Sequence, residues 1–199
     1  MSPPPTDFRE LPDDLPVPED DRGADHLRGT AVPSVVLDAT EGKRVDLATV
    51  ATGGTLVVYV YPQTGVPGQP GPAGWDRIPG ARGCTPQSCA FRDSARDLAD
   101  LGATVFGLSA QPLEEQREFA AREHLPYPLL NDSGFRLTEE LGLPTFEADG
   151  RRYYRRLTFV AREGWMAKVF YPVFPPQDNA ADVIAWLQAS TQDGQSISR

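Results

Sequence analysis

Two cysteines five positions apart, Cys84 and Cys89, are the only thiols in the chain, within Gly83-Cys84-Thr85-Pro86-Gln87-Ser88-Cys89. A thiol reacts as its thiolate, and free cysteine, with a pKa of about 8.5, is mostly protonated at neutral pH. The first turn of a helix carries unpaired N–H groups and partial positive charge, which favour an anionic sulfur there. A helix is predicted from Thr85. Pro86 is tolerated in a first turn, where its missing N–H would be unpaired anyway, and Phe91, Ala95 and Leu98 share one face. Cys84 therefore stands between a glycine and a helix start, with Cys89 further in. In an intact helix, residues five apart have Cα atoms roughly 8–9 Å apart, whereas a disulfide needs no more than about 7 Å. The pair bridges only if the first turns unwind.

Other uses of such a pair remain open at this point. Two cysteines so spaced also suit an inert core. A zinc site is disfavoured, because the gap is not the usual one and His26 and His124 are the only histidines. A thioredoxin-type redox pair has two intervening residues, and four stand here.

The elements that must hold these residues follow from pattern. Thr55 to Tyr61 is continuously apolar and β-branched, as in a central strand buried on both faces. Ser34–Leu37 reads as a short strand before a Glu41-Gly42 turn. Residues 65–83 break all regularity, since ten of these nineteen are Gly or Pro, and loops of this length inside compact domains are usually functional or mobile. The helix from Thr85 closes at Leu101-Gly102. A strand at Thr104–Leu108, a helix at Pro112–Glu123, an extended stretch at Pro128–Leu130 and a helix at Ser133–Leu141 follow, the last stopped by Gly142. Leu157–Val160 and Met166–Phe170 make a hairpin around Glu163-Gly164, and Ala180–Ala189 is a closing helix. Early βα alternation with a late hairpin predicts a mixed central sheet with helices on both faces. The simplest fold with this plan is a thioredoxin-like α/β sandwich. The domain is expected over 33–190, after an irregular Pro/Asp-rich arm (1–32) that Leu11, Leu15 and Val17 would anchor, and before a flexible tail (191–199).

Composition narrows the function. The net charge of −9 argues against binding a phosphate backbone, which needs clustered Lys and Arg. No apolar run is long enough to span a membrane, and MSPPPTDFRE lacks the basic and apolar regions of a secretory signal. With two cysteines there is no disulfide framework, so a reducing cytoplasm is the expected compartment.

Four passages carry a family pattern: Tyr59-Val60-Tyr61-Pro62; Gly83-Cys84-Thr85 through Cys89-Ala90-Phe91-Arg92-Asp93; Leu125-Pro126-Tyr127-Pro128-Leu129-Leu130-Asn131-Asp132; and Arg156-Leu157-Thr158-Phe159. In order and spacing, from about Pro33 to Leu187, they resemble peroxiredoxins of the peroxiredoxin Q, or bacterioferritin comigratory protein, group. The resemblance implies a thioredoxin-like fold and reduction of hydrogen peroxide and organic hydroperoxides. In that scheme Cys84 becomes a sulfenic acid, Cys89 resolves it as an intramolecular disulfide, and thioredoxin or a similar dithiol recycles it. It also implies a monomer, no metal and no organic cofactor. Arg156 matches the family's active-site arginine, which would stabilise the thiolate and polarise the peroxide. The rival readings are a redox-sensing module and a protein-disulfide oxidoreductase of the same fold.

One departure stands out. The family signature is Pro-x-x-x-Thr-x-x-Cys, but Ala81 and Arg77 occupy those positions before Cys84. The family's proline corresponds to Pro62, with extra residues inserted after it. The threonine's role then passes to Thr64 or Thr85, or is lost. Thr64 is favoured, because it ends a rigid strand from which the insert can loop outward, whereas the counterpart of Thr85 coexists with the usual threonine in other members.

Overall fold

The computed structural model describes residues 8–196, the side chains as far as residue 190. Its elements in chain order are β1 (Val36–Ala39), β2 (Arg44–Asp46), α1 (Leu47–Gly53), β3 (Thr55–Val60), α2 (Cys84–Asp93), α3 (Ala95–Asp100) and β4 (Ala103–Ser109). There follow α4 (Leu113–Arg122), β5 (Leu129–Asn131), α5 (Arg136–Leu141), β6 (Thr145–Ala148), β7 (Arg151–Tyr154), β8 (Leu157–Arg162), β9 (Trp165–Phe170) and α6 (Asn179–Ser196). Seven strands form one sheet in the order β2-β1-β5-β4-β3-β8-β9. The β5-β4-β3 centre is parallel and both flanks are antiparallel, so the sheet is mixed as the element order requires.

β3 is central because its sequence suits burial on both faces. Its period of two sends Leu56, Val58 and Val60 to one side, where Leu47 and Ala51 of α1 and Leu137 and Leu141 of α5 pack. Val57, Tyr59 and Tyr61 face the other side, against Phe91 of α2, Leu98 of α3, Phe119 of α4 and Val183 and Leu187 of α6. Phe91 stacks on Tyr59 with ring centroids 4.5 Å apart. Burying one such side chain contributes about 1.5–3 kcal/mol, and this contact seats α2 on the sheet. The α/β sandwich with helices on both faces is thereby present.

Several elements differ from their sequence expectation. α1 was not predicted; it starts where the Asp46 carboxylate accepts the Ala48 N–H at 3.1 Å, an N-cap. The helix predicted from Thr85 to Leu101 is two helices, interrupted at Ser94. α5 begins three residues later than Ser133, because Phe135 takes a left-handed φ of 54°. The β6–β7 hairpin was also missed, and α6 runs on to Ser196. Of the predicted tail, 197–199 lie outside the described residues.

The N-terminal arm is irregular apart from a turn at Asp25–Leu27. Of the expected anchors, Leu11 lies against Gly83, but the most deeply buried residues of the arm are others. Val17 is 64% exposed and Leu11 and Leu15 are half-buried, while Phe8, Ala24 and Leu27 are buried.

Candidate active site

Cys84 is the first residue of α2 and is 3% exposed. The chain reaches it through Gly83 at φ +105°, a conformation that L side chains rarely adopt, and a Cβ there would lie 2.3 Å from Pro176. A side chain at this position would both strain the turn and push the helix start off Pro176. Cys89 lies in the same unbroken helix, so the reduced protein holds the two sulfurs apart.

The arginine-rich run 151–156 separates by burial. Arg151 and Arg152 are exposed on β7, Arg155 is half-buried, and Arg156 is 3% exposed. Arg156 Nη2 stands 3.2 Å from Cys84 Sγ and within 3.1–3.3 Å of the carbonyl oxygens of Gly80, Ala81 and Arg82. One nitrogen with two hydrogens serves four acceptors, so these bonds are shared. Its Nη1 donates to Gln87 Oε1. Gln87 in turn donates from Nε2 to Asn179 Oδ1 at 2.9 Å, and the same oxygen accepts from Thr158 at 2.6 Å. The guanidinium is thus fixed by a buried chain from β8 through α2 to the start of α6. Gln87 and Asn179 escaped the sequence reading; Gln87, three residues after Cys84 on a helix, shares its face, and that spacing was the available signal.

Thr64 and Thr85 both line the pocket in front of Cys84, a space of about 20 Å³ that suits one water-sized molecule. Their hydroxyls are differently engaged. Thr64 Oγ1 donates to Gln111 Oε1 at 3.0 Å, whereas the buried Thr85 Oγ1 has no partner among the described residues. Ala81, at the motif threonine's position, contributes its carbonyl, 3.7 Å from Cys84 Sγ. The insert 65–83 does not swing free. Trp75 packs edge-on against Tyr153 and beside Phe146, so the insert and the β6–β7 hairpin share a small core. Thr64→Val removes a hydroxyl and keeps the shape; if that hydroxyl turns its one hydrogen from Gln111 to the peroxide, the variant is expected to slow peroxide reduction about a hundredfold, the usual loss for one oxyanion donor. The measurement is the peroxide rate of Thr64→Val beside Thr85→Val at matched thiolate fraction. An unimpaired Thr64 variant with a crippled Thr85 variant would move the role to Thr85, whose free hydroxyl makes it the competitor.

Cys89 is half-buried and donates its S–H to Glu123 Oε2 at 3.6 Å. Burial pushes this thiol up, Arg92 works against that, and Glu123 adds to it, so Cys89 is held in its protonated form. The Glu123 side chain is itself fully buried and ion-paired to Arg9 at 3.0 Å, Arg122 at 2.9 Å and Arg92 at 3.7 Å. Ser88, between the cysteines' faces, is tied down by two phenols. Tyr59 donates to its hydroxyl at 3.1 Å, Tyr127 to its carbonyl at 2.9 Å, and the two phenol oxygens are 3.2 Å apart. Burial pushes both phenols far above their ordinary range, which keeps them as donors.

Among the described residues no cluster of His, Cys, Asp and Glu suits a metal ion, and no helix is long and apolar enough to cross a membrane.

The Redoxin family profile matches residues 27–184. A chloroplastic peroxiredoxin Q of Gentiana triflora is 30% identical over 163 residues, covering 82% of this chain and 67% of the relative. The chloroplastic peroxiredoxin Q of Sedum lineare is 30% identical over 162 residues, 81% of this chain and 78% of the relative. Among solved structures, peroxidoxin BcpB of Mycobacterium tuberculosis superposes with a TM-score of 0.66 at 26% identity, over 81% of this chain and 96% of that one. The thioredoxin-like sandwich, the order of the four motif passages and these relatives agree: the chain belongs to the Redoxin family, as a peroxiredoxin of the peroxiredoxin Q or bacterioferritin comigratory protein type.

Proposed function

We propose that the chain is a thiol peroxidase that reduces hydrogen peroxide and organic hydroperoxides and is recycled by thioredoxin or a similar dithiol. The observation that carries this reading is the Arg156 guanidinium, 3.2 Å from a buried helix-start sulfur that lines a small pocket. The Cys84 thiolate attacks one peroxide oxygen and the O–O bond breaks. The sulfur takes that oxygen as a sulfenic acid, and the departing oxygen leaves with a proton as water or alcohol. Arg156 is already held against the sulfur, where its charge stabilises the thiolate and offsets the negative charge that builds beside it as the bond breaks. The Cys89 thiol then displaces the sulfenic oxygen, which leaves as water, and an S–S bond joins the two residues. A dithiol reductant restores both thiols and is itself oxidised to a disulfide.

A coupled assay with thioredoxin, its reductase and NADPH tests the proposal. Sustained NADPH consumption on addition of peroxide is expected. One equivalent of peroxide consumed per molecule, with no further turnover, would favour a redox sensor instead. The protein is further proposed to act as a monomer in the cytoplasm. Among the described residues the exposed large apolar side chains are only Val17, Trp165 and Phe174, which supports a monomer, and cysteines used for chemistry fit a reducing compartment.

The resolving step has a structural cost that can be measured. Both cysteines lie in α2, and a disulfide cannot span five residues of intact helix. Oxidation is expected to melt α2 over residues 84–91, with faster amide hydrogen exchange there in the oxidised than in the reduced protein. Equal protection in the two states would mean that Cys84 and Cys89 do not bridge within one chain.

A further inference from the structure

We propose that Phe8, carried by the N-terminal arm, is the residue that sets the size of peroxide reaching Cys84. This rests on the peroxidase reading above and adds to it a wall that lies outside the recurring motif passages.

The ring is buried, although its neighbours Arg9 and Glu10 are exposed. It lines the same pocket as Thr64, Cys84 and Thr85. One face of it meets the Arg82 guanidinium, 4.7 Å from the ring centroid. Another side lies directly on the backbone of Gly65, where a Cβ would fall 2.4 Å from the ring carbons. The next residue, Arg9, crosses to Glu123 at 3.0 Å. An aromatic residue of the arm is therefore docked between the insert and the helix start, and held by an ion pair alongside.

What the ring does there follows from space. The pocket in front of the sulfur is narrow, with about 20 Å³ that suits one water-sized group. A hydroperoxide with a bulky organic group must place that group somewhere in the pocket wall. The insert and the helix start are built into the domain: Trp75 is packed on Tyr153, and Gly83 is meshed with Pro176. The arm is different. Among the described residues no backbone hydrogen bond joins residues 8–21 to the rest of the domain, so Phe8 is the wall held by side-chain contacts. With the ring in place the site favours hydrogen peroxide, and with it displaced the site takes bulky aromatic hydroperoxides as well.

The test compares the second-order rate constants for oxidation of reduced protein by hydrogen peroxide and by cumene hydroperoxide, in stopped flow. For Phe8→Ala the ratio of the two constants is expected to shift toward cumene hydroperoxide by about tenfold or more, the scale on which pocket walls discriminate apolar groups. Gly65→Ala, which keeps Phe8 but leaves no room for its ring, is expected to shift the ratio in the same direction. Phe8→Tyr retains a ring and is expected to keep the wild-type ratio. The ratio is insensitive to a general loss of folded or thiolate protein, since both peroxides meet the same molecules. An unchanged ratio in both Phe8→Ala and Gly65→Ala overturns the assignment while leaving the peroxidase reading intact. Failure of wild-type Cys84 to react with either peroxide overturns both.

Discussion

Replacing Cys84 by serine is expected to abolish peroxide turnover, while Cys89→Ser still reacts once per molecule and accumulates a sulfenic acid on Cys84. A serine oxygen at the start of α2 would meet the same guanidinium but is far harder to ionise, so no nucleophile forms. In the Cys89 variant the nucleophile and Arg156 are untouched, and what is lost is the thiol that displaces the sulfenic oxygen. The product then stays in the buried pocket, where excess peroxide carries it to sulfinic acid. The two sulfurs differ in surroundings as these roles require: Cys84 faces a cation, and Cys89 faces the Glu123 carboxylate. Mass spectrometry of peroxide-treated variants reads the outcome directly. Oxygen added to Cys89 with Cys84 unmodified would reverse the assignment.

The second large effect is expected at Arg156. Arg156→Met keeps much of the side chain's length and removes the cation, so the peroxide step should slow about a hundredfold or more, as when a single oxyanion donor is removed. The loss has two sources. The charge on the reacting atoms goes uncompensated, and the carbonyls of Gly80, Ala81 and Arg82 lose the donor that gathers them around the sulfur. Arg156→Lys separates the two, because an ammonium restores charge but cannot form the planar fork that reaches Gln87 and the carbonyls together. A rate between those of Met and wild type is expected. Arg151→Met, on an exposed strand residue, should change little. Equal small effects at both arginines in rapid thiol oxidation would remove Arg156 from the mechanism.

The parts of the fold written plainly in the chain are those with one dominant physical demand. Thr55–Tyr61 allows little but a strand buried on both faces, and Glu163-Gly164 marks a hairpin because both residues take left-handed φ, 53° and 82°. Asp149-Gly150 has the same signature, with φ of 49° and 70°. It is hard to read because Thr145–Ala148 is only four residues long and Arg151–Tyr154 lacks any alternation of apolar and polar residues. The helix Leu47–Gly53 holds two threonines, a valine and a terminal glycine, so its propensity is weak and packing on the sheet decides it. In the site, Cys84 and Cys89 were legible from type and spacing. Arg156 stood out from its neighbours only through resemblance, until burial set it apart. Phe8 and Glu123 were beyond sequence reasoning: the Arg9–Glu123 contact joins residues 114 positions apart, a separation no local pattern encodes.

The tyrosine clamp on Ser88 bears on the opposite half of the cycle, the return to the thiol state. Melting of α2 around the proposed disulfide would break the two hydrogen bonds that Tyr59 and Tyr127 donate to Ser88, worth about 1 kcal/mol each in net stability. That deficit is carried by the oxidised protein alone and is recovered when the S–S bond opens. At 30 mV for each 1.4 kcal/mol, it would raise the reduction potential of the pair by about 40 mV over that of an unconstrained disulfide. In the proposed cycle the refolding helix would pull electrons in from the donor, and the same hydroxyls that brace the reduced protein would make its oxidised form the easier to regenerate.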